Sequence, residues 1–349
     1  MKKDEFYKFL RRVPKAEIHL HAEATITRET VKAFVLRSHD VSKKLVDVDK
    51  LFTYNTLKGF LTSFFYVQGL IEKLSDFTLI FEDAAKYLRD NNIVYGELFF
   101  SPSMFVRKGF SFPEMLDVIQ ASIDTIQKRD NLTIKLIIDL SRMFGVENAQ
   151  SNLDSTLRHR TPMVIGVGLG GDEEIGPANI FGEVFQLAKS RGLHVVAHAG
   201  EVVGPESIWD SLNTLKVERI GHGLSAIQDP ILVAYLAEKQ IPIEICLTSN
   251  VITRKYVTRT EDHPVRPLFD QGVLVVINTD DPTFFNCTLI DEFWLLHTKL
   301  KFTMDEIKQL ILNGFRASFL TDTEKAVYYA QVEAAWVDAV QKQKNTVKA

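Results

Sequence analysis

Eight short apolar runs, each ending in polar residues and each followed by a longer connecting segment, constrain the fold of this 349-residue chain more than any other feature. The runs occupy 17–21, 93–100, 134–140, 163–169, 195–198, 218–221, 241–246 and 273–278. Amphipathic helical patterns fill 112–128, 180–190, 205–215, 230–238 and 263–270. Such alternation predicts parallel strands joined by crossover helices. Strands that read as near-continuous apolar runs belong to a sheet covered on both faces. A closed barrel and an open doubly wound sheet both satisfy the pattern, but they distribute the polar strand ends differently. A barrel converges them on one site, whereas an open sheet strings them along an edge. Here the chemically capable side chains follow several different strands, so the expected fold is a TIM (β/α)8 barrel.

One connection is too long for a plain βα unit. Residues 31–92 separate the first two runs, and within them Leu57, Phe60, Leu61, Phe64 and Phe65 share one face at helical spacing. A helical lid over the barrel mouth is expected, walling off an aromatic ligand, although ordinary core packing would produce the same stripe. The whole of 1–349 is expected to form one barrel domain carrying this insertion. Only two cysteines occur, Cys246 and Cys287, which excludes a disulfide framework and a thiolate zinc cluster. The N-terminus lacks the apolar core of a signal peptide, and no run reaches membrane-spanning length. Net charge is -4 with dispersed basic residues, which offers no track for a phosphate backbone. The expectation is a cytoplasmic enzyme acting on a small molecule, with no nucleic-acid or membrane partner. Oligomeric state cannot be read from the pattern.

His19 and His21 stand two apart in Ala-Glu-Ile-His-Leu-His, so on a strand both imidazoles point to one side. A lone His-x-His is weak, because core and surface histidines are common. His198 in His-Ala-Gly-Glu and Asp280 in Asn-Thr-Asp-Asp-Pro each end another run. Three imidazoles and a carboxylate make a donor set suited to zinc with room for a water, whose pKa the ion would lower toward neutrality. Glu201, three residues past His198, is either a proton-exchanging carboxyl over the mouth or a solvated loop acid. His222, between glycines in Arg-Ile-Gly-His-Gly, is either a site residue or a buried, satisfied histidine. Asp281 before Pro282 is a substrate contact or a helix N-cap.

Taken together, Pro-Lys-Ala-Glu-Ile-His-Leu-His at 14–21, Gly-Gly-Asp-Glu at 170–173, His-Ala-Gly-Glu at 198–201, Arg-Ile-Gly-His-Gly at 219–223 and Asn-Thr-Asp-Asp-Pro at 278–282 resemble the adenosine and AMP deaminase family of the amidohydrolases. The resemblance implies zinc-dependent hydrolysis of the 6-amino group of a purine, with one Zn2+ per chain held by His19, His21, His198 and Asp280. It further implies that Glu201 protonates the ring at N1, which calls for a raised pKa in a desolvated pocket. His222 would orient the attacking water and assist its deprotonation. Asp281 would meet N7 or steer the nucleophile, and the backbone of Gly171 would meet N3.

Substrate identity follows less directly. Members acting on adenosine usually carry Asp where Glu23 stands, and members acting on free adenine resemble this chain there. The segments 204–209 and 249–254 resemble bacterial members that include aminodeoxyfutalosine deaminases, in which Arg254 would pair with a substrate carboxylate; a surface charge is the other reading of Arg254. Adenosine is the first expectation, with aminodeoxyfutalosine and adenine as alternatives. A binuclear amidohydrolase is a rival, but the fourth run closes as Gly168-Leu169-Gly170-Gly171-Asp172 without the lysine that bridges two metals. A scaffold with a vestigial site is disfavoured because no ligand or acid position is missing.

Overall fold

Every expected strand forms, and all eight join one parallel sheet in chain order: β1 (Lys15–His21), β2 (Ile93–Phe100), β3 (Thr133–Asp139), β4 (Val164–Leu169), β5 (His194–Ala199), β6 (Arg219–His222), β7 (Ile243–Ile245) and β8 (Val275–Ile277). The structure is a computed structural model that describes residues 1–38, 40 and 46–348, with 344–348 described by backbone alone. Helices such as Phe112–Asp130, Gly182–Ser190 and Pro230–Lys239 cover the outside, so the sheet curls into a (β/α)8 barrel. The helix expected over 205–215 runs as Pro205–Asp210 and then widens into a π-helical turn, Ser211–Leu215.

Closure between β8 and β1 relies on side chains. The ladder there is reduced to a bridge between Leu20 and Asp280. The His21 N–H donates to the Asp280 carbonyl at 3.0 Å, and the Asp280 N–H donates to the His19 carbonyl at 3.2 Å. Asn278 completes the seam, its Oδ1 accepting from the backbone N–H groups of Ile18 (2.9 Å) and His19 (3.0 Å). One turn outward, Glu17 Oε1 accepts from the N–H (2.8 Å) and hydroxyl (2.6 Å) of Thr279. Two side chains thus take the place of a second strand's carbonyls.

The insertion forms the helices Arg28–Arg37, Leu57–Gly69 and Ser75–Asp90 with a 3-10 turn at Val48–Phe52, while residues 39 and 41–45 of it lie outside the described residues. Helix Ser75–Asp90 buries Phe77, Ile80, Phe81, Ala84, Ala85 and Leu88, the pattern of an element packed on a barrel wall. Helix Leu57–Gly69 lies over the mouth. Its Phe60 ring packs on Phe285 at 4.9 Å and its Phe64 ring on Phe284 at 5.7 Å. Just before its start, the Tyr54 hydroxyl donates to the Phe284 carbonyl at 2.5 Å. At its end, the Lys108 ammonium donates to the carbonyls of Gln68, Gly69 and Ile71, a cation at a helix C-terminus. The lid is therefore pinned at both ends.

The C-terminal segment docks rather than frays: helix Asp322–Lys348 buries Val332, Trp336 and Ala339, and Trp336 meets Phe9 of the N-terminal helix edge-on at 4.7 Å. Among the described residues no helix is long and apolar enough to cross a membrane.

Replacing Asn278 with Ala strips an acceptor from two buried N–H groups, each costing roughly 1–3 kcal/mol when left unpaired. Urea unfolding should show a loss of about 2–5 kcal/mol with an unchanged m-value, and a loss below about 0.5 kcal/mol would mean that the seam does not depend on this side chain.

Candidate active site

Strands β1 and β5 and the turn after β8 aim four side chains at one point on the barrel axis. His19, His21, His198 and Asp280 are all buried, and one ligating atom from each lies within 4.8 Å of the others. Asp280 Oδ1 stands 3.5 Å from His19 Nε2 and 3.3 Å from His21 Nε2, and His21 Nε2 is 3.2 Å from His198 Nε2. His19 Nε2 is buried without a hydrogen bond of its own. Burial holds the His198 imidazole well below its ordinary pKa, and the neighbouring imidazoles push the same way, so its lone pair stays free. Converging imidazole nitrogens with one carboxylate oxygen are a donor set for a divalent cation. Asp280 and His222 adopt φ of +68° and +63°, a region sparsely populated by non-glycine residues. Gly221 is required where β6 passes His19 and His198, since a Cβ there would sit 2.7 Å from His19 Cε1 and 3.2 Å from His198 Cα.

Behind the cluster runs a chain of buried charges. His19 Nδ1 hydrogen-bonds Glu244 Oε2 at 2.7 Å, which fixes the ring so that Nε2 faces the cluster. Glu244 in turn pairs with Arg219 Nε at 2.6 Å, and Arg219 Nη1 pairs with Glu97 at 2.6 Å. Burial alone would raise Glu244, but the Arg219 guanidinium and His19 hold it below the usual carboxylate range. Asp280 Oδ2 accepts from the Ser249 hydroxyl at 2.7 Å. None of Glu244, Arg219 or Ser249 was identified from the sequence. The signal for the first two was there, as single charges inside otherwise apolar strands.

Above the cluster lies a cavity of about 670 Å³, counting the space at its open mouth. The lid contributes Leu57, Phe60, Leu61, Phe64 and Phe65, so the apolar stripe read from the sequence both packs and lines the cavity. Glu201, His222, Asp281 and Gly171 line it as well. Burial pushes the Glu201 carboxyl well above its ordinary value, and the charges of Asp280 and Glu173 add to this. His222 Nε2 is 3.6 Å from Glu201 Oε2. Asp281 occupies the N-cap position of the short helix Pro282–Phe285 but makes no side-chain cap bond, and its buried Oδ1 has no partner. Gly171 has a φ of +96°.

Glu173, the last residue of Gly-Gly-Asp-Glu, has a task that its motif does not reveal. This buried carboxylate accepts from the N–H groups of Gly200 (2.9 Å), Glu201 (2.7 Å) and Val202 (3.2 Å) and from the Ser207 hydroxyl (2.6 Å), clamping the loop that carries Glu201. Arg142 donates to the His198 carbonyl (2.5 Å) at the end of β5, just before that loop, and to the Gly176 carbonyl (2.7 Å) in the connection after β4. The two candidate specificity residues are not brought to the cavity surface. Glu23 is buried behind it, its Oε1 accepting from the Ser101 N–H at 2.8 Å and facing Gln68 Nε2 at 3.4 Å. Arg254 is exposed, in the left-handed C-cap position of helix Leu247–Thr253.

Residues 14–335 match the family model described as adenosine deaminase. An adenine deaminase of Crocosphaera subtropica is 33% identical over 324 residues, covering 92% of this chain and 99% of that protein. An aminodeoxyfutalosine deaminase of Streptomyces avermitilis is 33% identical over 341 residues, covering 95% of each. The crystal structure of an adenine deaminase from Arthrobacter aurescens superposes with a TM-score of 0.87 at 28% identity, covering 93% of this chain and 99% of that one.

Because Glu244 orients His19 without touching the cluster centre, Glu244→Gln should weaken divalent-metal binding about 10–100-fold. Competition of the metal-free protein with a chromophoric chelator for Zn2+ reads this directly, and unchanged affinity would deny Glu244 that task.

Proposed function

The chain belongs to the adenosine deaminase family, hydrolases of carbon–nitrogen bonds in cyclic amidines, and we propose that it removes the 6-amino group of an uncharged aminopurine, free adenine first. One observation carries the reading. Three imidazoles and a carboxylate that could hold a cation share one cavity with a carboxyl that burial pushes well above its ordinary pKa, and the cavity lining, among the described residues, includes no lysine or arginine.

His19, His21, His198 and Asp280 would hold one zinc ion, which supplies a nucleophile at neutral pH by acidifying water. A second grouping of His222, Cys246 and Asp280 shares the same aspartate, and burial pushes the Cys246 thiol well above its ordinary value, which supports a single ion. Addition at C6 breaks ring aromaticity, so the ring nitrogen N1 must gain a proton as the new bond forms. Glu201, whose carboxyl burial pushes well above its ordinary value, would donate it. His222 sits beside Glu201 and orients the incoming oxygen. The unpartnered Asp281 Oδ1 meets the N7 edge or steers that oxygen, and the Gly171 backbone meets N3. Ammonia leaves and the 6-oxopurine remains.

Substituents at N9 are limited by charge. A phosphate or carboxylate buried among Asp139, Glu201, Asp280 and Asp281 with no lysine or arginine to pair with it would meet a large desolvation cost. That argues against AMP. Aminodeoxyfutalosine, the substrate class named for the Streptomyces relative, would need Arg254 to leave its exposed place. Adenosine is a second reading, because Gln68, Ser101, Asp139 and Ser141 offer polar groups to ribose hydroxyls. Glu23 acts on the substrate indirectly, by supporting Ser101 and Gln68.

In a panel of adenine, adenosine, deoxyadenosine, AMP and aminodeoxyfutalosine, the highest kcat/KM should fall on adenine, with the two anionic compounds lowest. A preference for either anionic compound would overturn the charge argument. Glu201→Gln keeps the shape of the side chain and removes its transferable proton. Turnover should fall about 10²–10⁴-fold while bound metal, measured by atomic emission, stays at the wild-type level.

A further inference from the structure

We propose that His263 and Asn250 dictate which nitrogen of His222 carries the proton, so that His222 meets the reacting centre as a hydrogen-bond donor through Nε2. The geometry stands by itself, and only its consequence for turnover rests on the deaminase reading.

The chain of inference starts at a group that cannot change its role. The backbone N–H of Val265, in the first turn of helix Val265–Asp270, donates to His263 Nδ1 at 3.1 Å. A backbone amide nitrogen never accepts, so His263 Nδ1 must. The proton of this buried imidazole therefore sits on Nε2. That Nε2–H faces Asn250 Oδ1 at 3.2 Å, which uses the carbonyl end of the amide as acceptor. The nitrogen end is then turned to His222 Nδ1, 3.1 Å away. An amide NH2 only donates, so His222 Nδ1 accepts and its proton also resides on Nε2. Four groups in series transmit one fixed orientation from the helix start to the cavity.

His222 Nε2–H lies 3.6 Å from Glu201 Oε2, too far for a direct hydrogen bond, which leaves the donor for a ligand. In this tautomer the cavity-facing nitrogen has no lone pair with which to take a proton from water. His222 thus holds the oxygen that adds to C6 by donating to it, and the general-base assistance expected from the family resemblance is not available to it. Asn250 and His263 are positioning residues, since neither is a group the substrate meets. The local sequence supports the reading. Asn250 lies within helix Leu247–Thr253 after β7, and His263 stands 13 residues further on in the same β7–β8 connection, so the relay joins that one connection to His222 at the end of β6.

Nitrogen NMR of the zinc-loaded protein labelled with 15N-histidine tests the tautomer directly, with the His222 signals assigned by their loss in His222→Gln. The expected result is a protonated Nε2 and an unprotonated Nδ1. A protonated Nδ1 in the wild type overturns the proposal, whatever the substrate proves to be. Asn250→Asp is nearly isosteric but can only accept, so it should invert the His222 tautomer. It should lower kcat about 10²–10⁴-fold with KM changed only a few-fold. His263→Gln, whose amide can still donate to Asn250, should stay within about tenfold of wild type, whereas His263→Leu, which leaves Asn250 free to turn either end toward His222, should give both tautomers and a kcat between wild type and Asn250→Asp. An Asn250→Asp enzyme with an inverted tautomer and wild-type kcat would also overturn the proposal. A wild-type enzyme silent on every aminopurine would sink the functional reading and leave the tautomer measurement to decide the relay.

Discussion

The seam between β8 and β1 is the constraint on which the site depends. Three of the four clustered side chains, His19, His21 and Asp280, lie on the two sides of this one junction. Their spacing is set by how the barrel closes, and closure here is achieved by Asn278 and Glu17 reaching across instead of by a full backbone ladder. Any change that lets β1 slide against the turn after β8 would separate two imidazoles from their carboxylate while leaving each strand intact. The same polar side chains that satisfy buried amides therefore also set the spacing of the His/Asp cluster, which explains why a barrel core contains them at all.

The barrel interior carries more charge than its apolar strands suggest. Glu97, Arg219, Glu244 and His19 form a continuous buried series in which each charge has an opposite partner or a hydrogen bond. Isolated, any of them would be costly in such a place. Paired, they deliver a fixed orientation to His19 with no dependence on solvent. A comparable economy holds on the opposite side of the cluster, where Glu173 gathers three backbone N–H groups and a hydroxyl and so positions the loop of Glu201.

Much of the fold was legible because apolar runs and helical spacing are local properties, and strand β2 falls where the pattern predicts it, over Ile93–Phe100. The strands β7 and β8 are shorter than their runs: six residues give ladders of three, because Ile241 and Pro242, and likewise Val273 and Leu274, precede the ladder while only Cys246 or Asn278 follows it. His19, His21, His198 and Asp280 were recognisable as a group because each ends a strand in a distinctive motif, and the structure brings them together. Glu23 and Arg254 were read from their position in motifs alone, which carries no information on burial; one lies behind the cavity wall and the other on the surface. Arg219, Glu244, Asn250 and His263 act through partners 13 to more than 100 residues away, and no spacing rule reveals such pairs.

The doubly pinned lid has a consequence for traffic. Because Tyr54 ties one end of the Leu57–Gly69 helix to the loop after β8 and Lys108 grips the other, the helix is poorly suited to swing as a rigid flap. Exchange with bulk solution would then proceed by rotation of the Phe60, Phe64 and Phe65 rings about their own side-chain bonds. Such a sieve admits thin, planar heterocycles readily and resists thick or branched solutes, so discrimination would begin at entry, before any polar group of the guest is read.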